Sequence, residues 1–282
     1  MIMTEYNFKQ VDVFSSVPCK GNPVAVVVGA DALTTAQMAS FASWTNLSET
    51  TFLLKPTLPQ ADYRVRIFTP KTELPFAGHP TLGSCHAWLA SGGQPKGSTI
   101  IQECGIGLVA IRRDTEKLSF AAPPLLRSGH VEPVVLERVA KGLKIPLSAI
   151  LASSWADNGP GWLAIMLGSR KEVLALEPDY AALSDMKIGV IGPWDPVQDG
   201  IDAQFEVRAF AMGAGVAEAP VTGSLNAALA QWLIGTGRVP VKYIASQGTI
   251  LKREGRVYIE KIAESIWVGG VTRTQISGIV TL

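Results

Sequence analysis

Two side chains in this sequence are placed to move a proton. Glu49 stands near the polar opening of an otherwise apolar run, Leu47-Ser48-Glu49-Thr50-Thr51-Phe52-Leu53-Leu54, and His79 stands between Gly78 and Pro80. A carboxyl held against apolar neighbours is driven toward its neutral form. Its pKa rises, and it can then serve as both acid and base near neutrality. On position alone Glu49 also reads as a strand-edge or capping carboxylate on the surface, and His79 as a loop histidine satisfied by backbone. The other reactive residue types offer less. Cys85 lies in Gly83-Ser84-Cys85-His86-Ala87-Trp88, which does not match the protease string around a nucleophilic thiol; it falls in an apolar helical run and reads as core. Thr222-Gly223-Ser224 is not a nucleophile elbow, because Val221 and Leu225 occupy the wrong places, so Ser224 suits an N-cap or an anion donor better. The run 213–218 is no nucleotide fingerprint. His79 and His86 are seven apart rather than three or four, so no metal site is expected, and His86 and His130 read as satisfied or surface residues.

The element that must carry His79 is a helix start. A strand-like run, Tyr63 to Phe68, leads into a turn-rich stretch with prolines at 70, 75 and 80, and then into an apolar segment from Cys85 to Ala90. Pro is tolerated in a helix's first turn because its missing N–H would have no partner there. The free N–H groups and positive dipole end point back into the loop and attract carboxylate or phosphate. The chain does this twice. Displaced by 144 positions, Trp88 falls on Trp232, Leu89 on Leu233 and Gly93 on Gly237, while Gly78-His79-Pro80 falls on Thr222-Gly223-Ser224. Tyr63 to Phe68 lies over Phe205 to Phe210 with a small slip, and Cys104-Gly105 over Gln247-Gly248. A duplicated unit of strand, loop, helix and hairpin is expected, its two halves facing each other across a cleft.

Composition limits the function classes. At 282 residues, 47% hydrophobic and 17% charged, the chain has enough apolar mass for about two domains with large cores. A net charge of +1 with interspersed signs leaves no electrostatic footprint for nucleic acid. No signal peptide and no stretch long enough to span a membrane are read. Three cysteines at unrelated spacings argue against a disulfide framework, and a cytoplasmic protein is the simplest fit.

Along the chain, strands are expected over 5–14, 24–28, 47–54, 63–68, 99–103, 107–113 and 117–121, with helices over 31–46, capped by Thr34 or Thr35, and about 80–91. Pro123-Pro124 reads as the joint. The second half is expected to hold helices near 132–143, 178–184 and 224–235, and strands near 162–167, 188–192, 204–210, 241–246, 249–252, 256–260 and 266–268. One long helix per half among short strands implies an α+β architecture. The expected division is 1–124 and 125–282, with the β-branched segment 272–282 a candidate to cross back to the first half.

The strings GNPVAVV (21–27), NLSETTF (46–52), RIFTPKTELPFAGHPTLGS (66–84), VTGSLNAALA (221–230), QGTILKREGRV (247–257) and WVGG (267–270) resemble the PhzF family over nearly the whole chain and in order. The resemblance implies a diaminopimelate-epimerase-like fold: two similar α+β domains, each a curled, mostly antiparallel sheet or barrel around a central helix, with the active site in the cleft between them. It implies a cofactor-independent isomerase that moves a proton on a small carboxylate-bearing metabolite, with Glu49 as the shuttling acid/base and His79 beside it. Gly78, Pro80, Thr222, Gly223 and Ser224 then belong to substrate-holding loops, with Asn22 and Ser48 from the first two strings. No cofactor, metal, nucleic acid or membrane is implied; the family pattern points to a homodimer. Related two-base epimerases carry a cysteine in each loop, and these loops (FAGHPT, APVTGS) have neither.

One departure matters. The family's second loop carries Asp where this chain has Ala219, and Glu218 is not a simple substitute, because adjacent residues of an extended loop face different ways. The alternative reading is therefore a catalytically impaired relative that binds a small acid without chemistry.

Overall fold

A computed structural model describes residues 4–212 and 216–282. Its chain divides into two compact units: residues up to Ala121 together with Gly269–Leu282, and residues Ala122–Val268.

In the first unit, the β-branched and aromatic runs form β1 (Glu5–Val13), β2 (Asn22–Val28), β3 (Thr50–Leu54), β4 (Tyr63–Phe68), a short β5 (Glu73–Leu74), β6 (Thr99–Cys104), β7 (Gly107–Arg113) and β8 (Lys117–Ala121). Helix α1 (Thr35–Thr45) follows β2, and α2 (Gly78–Ala90) follows β5. β1 pairs antiparallel with β2, β2 parallel with β3, β3 antiparallel with β4, β4 parallel with β6, and β6–β7–β8 form a meander. A final long strand pairs with both β8 and β1. The ring of strands thus closes, leaving no free edge of the kind that invites aggregation.

α2 is the axle of that ring. Every residue from Gly78 to Cys85, and Ala87, is buried, as expected for a helix that is apolar all round rather than striped. The approach to β2 is close: a Cβ on Gly83 would lie 2.3 Å from Val24 Cγ1. Outside the ring, Tyr6, Val27, Leu33, Met38, Phe41, Phe52 and Phe68 form a core under α1.

The second unit holds β9 (Arg127–Gly129), α3 (Pro133–Leu143), β10 (Ala152–Asp157), β11 (Trp162–Met166), α4 (Arg170–Leu174), β12 (Lys187–Pro193), β13 (Phe205–Ala211), β14 (Val216–Ala219), α5 (Gly223–Gly235), β15 (Lys242–Gln247), β16 (Gly255–Ile262) and the start of β17 (Ser265–Thr281). Its pairings from β10 to β16 run antiparallel, parallel, antiparallel, parallel, antiparallel. This is the order found from β1 to β7, and β14 hangs on β13 as β5 hangs on β4. The mixed α+β class and the repeat read from Trp88 and Trp232 are both present.

Several boundaries differ from expectation. Thr34 is the cap of α1, in a full capping box with Gln37; the stretch 30–32 is a separate 3-10 turn ending in extended Leu33. Strand β3 begins at Thr50, so Glu49 precedes it. The helix expected at 178–184 is a set of turns: the Asp179 carboxylate takes the N–H groups of Ala181 and Ala182 as an N-cap would, but the backbone bonds that follow do not continue into a regular helix. The strand expected at 249–252 is instead a 3-10 turn, entered through Gly248 at φ +93. The segments 266–268 and 272–281 belong to one continuous strand, Ser265–Thr281.

Candidate active site

Glu49 is held by its flanks. α1 ends at Asn46 in the left-handed conformation, φ 54, which Asn tolerates better than most residues. The hydroxyls of Thr45 and Thr50 meet at 2.9 Å across the base of the intervening loop. Thr51 is fastened to Ser84 of α2 at 2.9 Å and to the Ala25 carbonyl. Residues two apart share a face of an extended chain, so the anchoring of Thr51 on α2 sends Glu49 toward the same helix.

His79 is the second residue of α2, and its Nε2 lies 3.2 Å from Glu49 Oε2. The two atoms are sealed from solvent yet not aligned as a hydrogen bond. The other ring nitrogen, Nδ1, lies 3.2 Å from the Asn22 amide nitrogen, and the Pro23 carbonyl also faces the ring. The tautomer follows from which of these partners Nδ1 bonds: Asn22 as donor leaves the ring proton on Nε2, whereas the Pro23 carbonyl as acceptor places it on Nδ1. Asn22 is itself placed by a tight turn: Gly21 N–H donates to Asp12 Oδ2 at 3.0 Å, and a Cβ on Gly21 would lie 2.2 Å from the Val13 carbonyl oxygen.

Burial acts on both groups in the same sense, toward neutrality. It raises the Glu49 carboxyl from 4.5 to about 7 and lowers His79 from 6.5 to about 3, against a smaller opposing effect of the Pro23 carbonyl. The 3.2 Å contact has ion-pair spacing, but the imidazole is neutral, so at neutral pH the pair is a half-ionised carboxyl against an uncharged ring. That arrangement can take up and release a proton near pH 7.

The first turn of α2 has no side-chain cap; its N-cap is Ala77, and Pro80 is the third residue, where its missing N–H leaves nothing unsatisfied. Thus Glu49, His79, Asn22, Gly78 and Pro80 come together, with Ser48 one residue ahead of Glu49 in the same loop. In the second unit, Thr222 is the N-cap of α5, with Gly223 and Ser224 its first two residues. Ser224 is not the cap: its hydroxyl accepts from Trp162 Nε1 at 3.2 Å and its carbonyl from Asn158 at 2.9 Å. Fully buried Gln247 fastens this loop, accepting from Thr222 N–H at 3.0 Å and donating to the Ala219 carbonyl at 3.1 Å. Glu218 is clasped by Arg208 through two bonds of 2.9 and 2.8 Å. Its carboxylate is therefore committed, and Ala219 brings none. Cys85 is wholly buried with its thiol pushed up to about 12, and His86 bridges the hydroxyls of Thr272 and Thr274.

Residues 11–280 match the family model described as phenazine biosynthesis-like protein, PhzC-PhzF. "Antisense-enhancing sequence 1" of Schizosaccharomyces pombe is 41% identical, over 98% of this chain and 99% of that protein. The trans-2,3-dihydro-3-hydroxyanthranilate isomerase of Pseudomonas fluorescens is 33% identical, over 97% of this chain and 95% of its own. The crystal structure of a PhzF-family phenazine biosynthesis protein from Enterococcus faecalis superposes with a TM-score of 0.81 at 25% identity, covering 99% of this chain and 100% of that one.

Proposed function

The chain belongs to the PhzC-PhzF family of phenazine biosynthesis-like proteins, and from that premise we propose that it is an isomerase that shifts a proton within a small carboxylate-bearing metabolite, with Glu49 as its single acid/base. The observation that carries this reading is the Glu49 carboxyl, its Oε2 sealed from solvent, poised at about 7 and 3.2 Å from a neutral His79. As carboxylate, Glu49 takes a proton from one substrate carbon. The electron pair of that C–H bond moves into the adjacent unsaturated system, and the carboxyl then returns the proton to a second carbon on the same face. Nothing is oxidised or reduced, and one base suffices because the face does not change. His79 stays uncharged throughout and orients the carboxyl. The uncapped N–H groups at Gly78 suit a substrate carboxylate, since helix starts carry positive potential, and those at Gly223 and Ser224 give the start of α5 the same capacity for an anion.

The substrate of the Pseudomonas relative, trans-2,3-dihydro-3-hydroxyanthranilate, is the first compound to assay. Glu49→Gln is expected to abolish turnover in a folded protein, and full activity in that variant would remove Glu49 from the mechanism. A binder without chemistry is the second reading. Ala219, together with the engagement of Glu218 by Arg208, favours it by leaving the second loop without an available carboxylate. Conversion of the ligand to its isomer, or solvent deuterium entering it, separates the two, because a binder gives neither.

A further inference from the structure

The loops that enter the two buried helices share a pattern, Glu-x-Pro-x-x-Gly: Glu73-Leu74-Pro75-Phe76-Ala77-Gly78 before α2 and Glu218-Ala219-Pro220-Val221-Thr222-Gly223 before α5. In each, the glutamate is gripped by an arginine of the preceding strand through a two-point fork. Arg66 meets Glu73 at 2.7 and 2.7 Å, and Arg208 meets Glu218 at 2.9 and 2.8 Å. Each guanidinium also lies over the aromatic ring two residues on, 5.1 Å from Phe68 and 4.8 Å from Phe210. Each arginine reaches the helix that follows β2 or its counterpart β11: Arg66 donates to Thr35 Oγ1 of α1 at 3.0 Å, and Arg208 to the Val173 and Leu176 carbonyls around the end of α4 at 3.2 and 2.7 Å. The proline is clamped too. A Cβ on Gly105 would lie 2.6 Å from Pro75 Cα, and one on Gly248 would lie 2.5 Å from the Pro220 carbonyl oxygen.

Holding a loop at its glutamate and its proline leaves only a few residues of freedom before the helix begins. A planar fork fixes direction as well as distance, which a lysine cannot do. We propose that Arg66–Glu73 and Arg208–Glu218 are positioning pairs that set where the first turns of α2 and α5 lie: the first fixes the approach of His79 to Glu49, the second the placement of the Gly223 and Ser224 donors. This inference rests on the function proposed above. It makes the two pairs kinetically distinct, one acting on the chemical step and the other on substrate capture.

The test uses the full-length chain with trans-2,3-dihydro-3-hydroxyanthranilate. Glu73→Gln keeps the side-chain volume and removes the fork; kcat is expected to fall about 10- to 100-fold with KM little changed, as misplacement of about 1 Å costs a reaction centre. Arg66→Lys, which keeps the charge but not the fork, is expected to show the same loss. Because Glu218→Gln alone strands a buried Arg208, the partner test replaces both, Arg208→Met with Glu218→Leu, and KM is expected to rise about 10-fold or more on the same scale. Folded variants with kcat and KM within about twofold of the parent would overturn the proposal. The His79 ring resonances, read by NMR without substrate, supply an activity-free arm: they are expected to move in Glu73→Gln, and unchanged resonances would also overturn it. Full activity in Glu49→Gln would defeat the functional reading alone, while a displaced His79 signal would still uphold the positioning role.

Discussion

Glu49→Gln is expected to stabilise the protein in a pH-dependent way while abolishing turnover. The carboxyl is 17% exposed at its side chain and raised from 4.5 to about 7 by burial. A group whose folded pKa lies above its unfolded one opposes folding once the unfolded chain ionises. The penalty is absent below about pH 4.5, grows between there and about 7, and is complete above that. At about 1.4 kcal/mol per pH unit the full penalty is about 3 kcal/mol. Glutamine keeps the shape and cannot ionise, so the variant should exceed the parent by about 3 kcal/mol at pH 8, with the gap closing toward pH 4. With a urea slope of about 2–3 kcal/mol per molar, the midpoint at pH 8 should move up by about 1 M or more. His79 titrates in both proteins and cancels from the comparison. A gap that is absent at pH 8, or equal at pH 8 and pH 4, would refute the argument that burial holds this carboxyl near neutrality. Stability gained where activity is lost is the usual signature of a site kept strained for its function.

Other outcomes follow from the same geometry. The pH profile of kcat/KM should rise through an apparent pKa of about 7, since the base must start as carboxylate; a limb near the ordinary carboxylate value would contradict the assignment. His79, lowered to about 3, should contribute stability that is lost as pH falls from about 6.5 toward 3, so His79→Gln should flatten the acid side of the urea titration. The same variant should lower kcat by about 10²-fold or more through loss of a partner at the proton-transfer step. A thiol reagent should modify exposed Cys19 quickly and leave Cys85, buried and pushed up to about 12, untouched until the chain unfolds; equal rates would show that α2 opens readily.

What could be read from the sequence tracks how local the determinant is. The helix entry at Gly78-His79-Pro80 was legible because a loop rich in Pro and Gly runs straight into an apolar stretch. The repeat was legible because Trp88 and Trp232, half-buried at matching places in α2 and α5, mark the register. The helix expectation failed at 178–184, where Asp179 caps a turn that the backbone does not carry on into a helix. Strands as short as β5 and β9 carry too few residues for alternation to register, and β10 went unread. That Glu49 faces His79, thirty positions away, depends on α2 crossing the mouth of β3, and no spacing rule encodes that. The arginine–glutamate forks were hidden for a related reason. They are separated by seven residues in one unit and ten in the other, and only strand pairing aligns them.

The central claim, that one carboxyl carries the substrate's proton, is tested most directly by running the isomerisation of trans-2,3-dihydro-3-hydroxyanthranilate in D2O and following label in the product by NMR. The wild-type chain is expected to form product, with deuterium at the receiving carbon to the extent that the Glu49 proton exchanges with solvent before it is returned, and Glu49→Gln to form neither product nor label. Label entering at the parent's rate in Glu49→Gln would contradict the account.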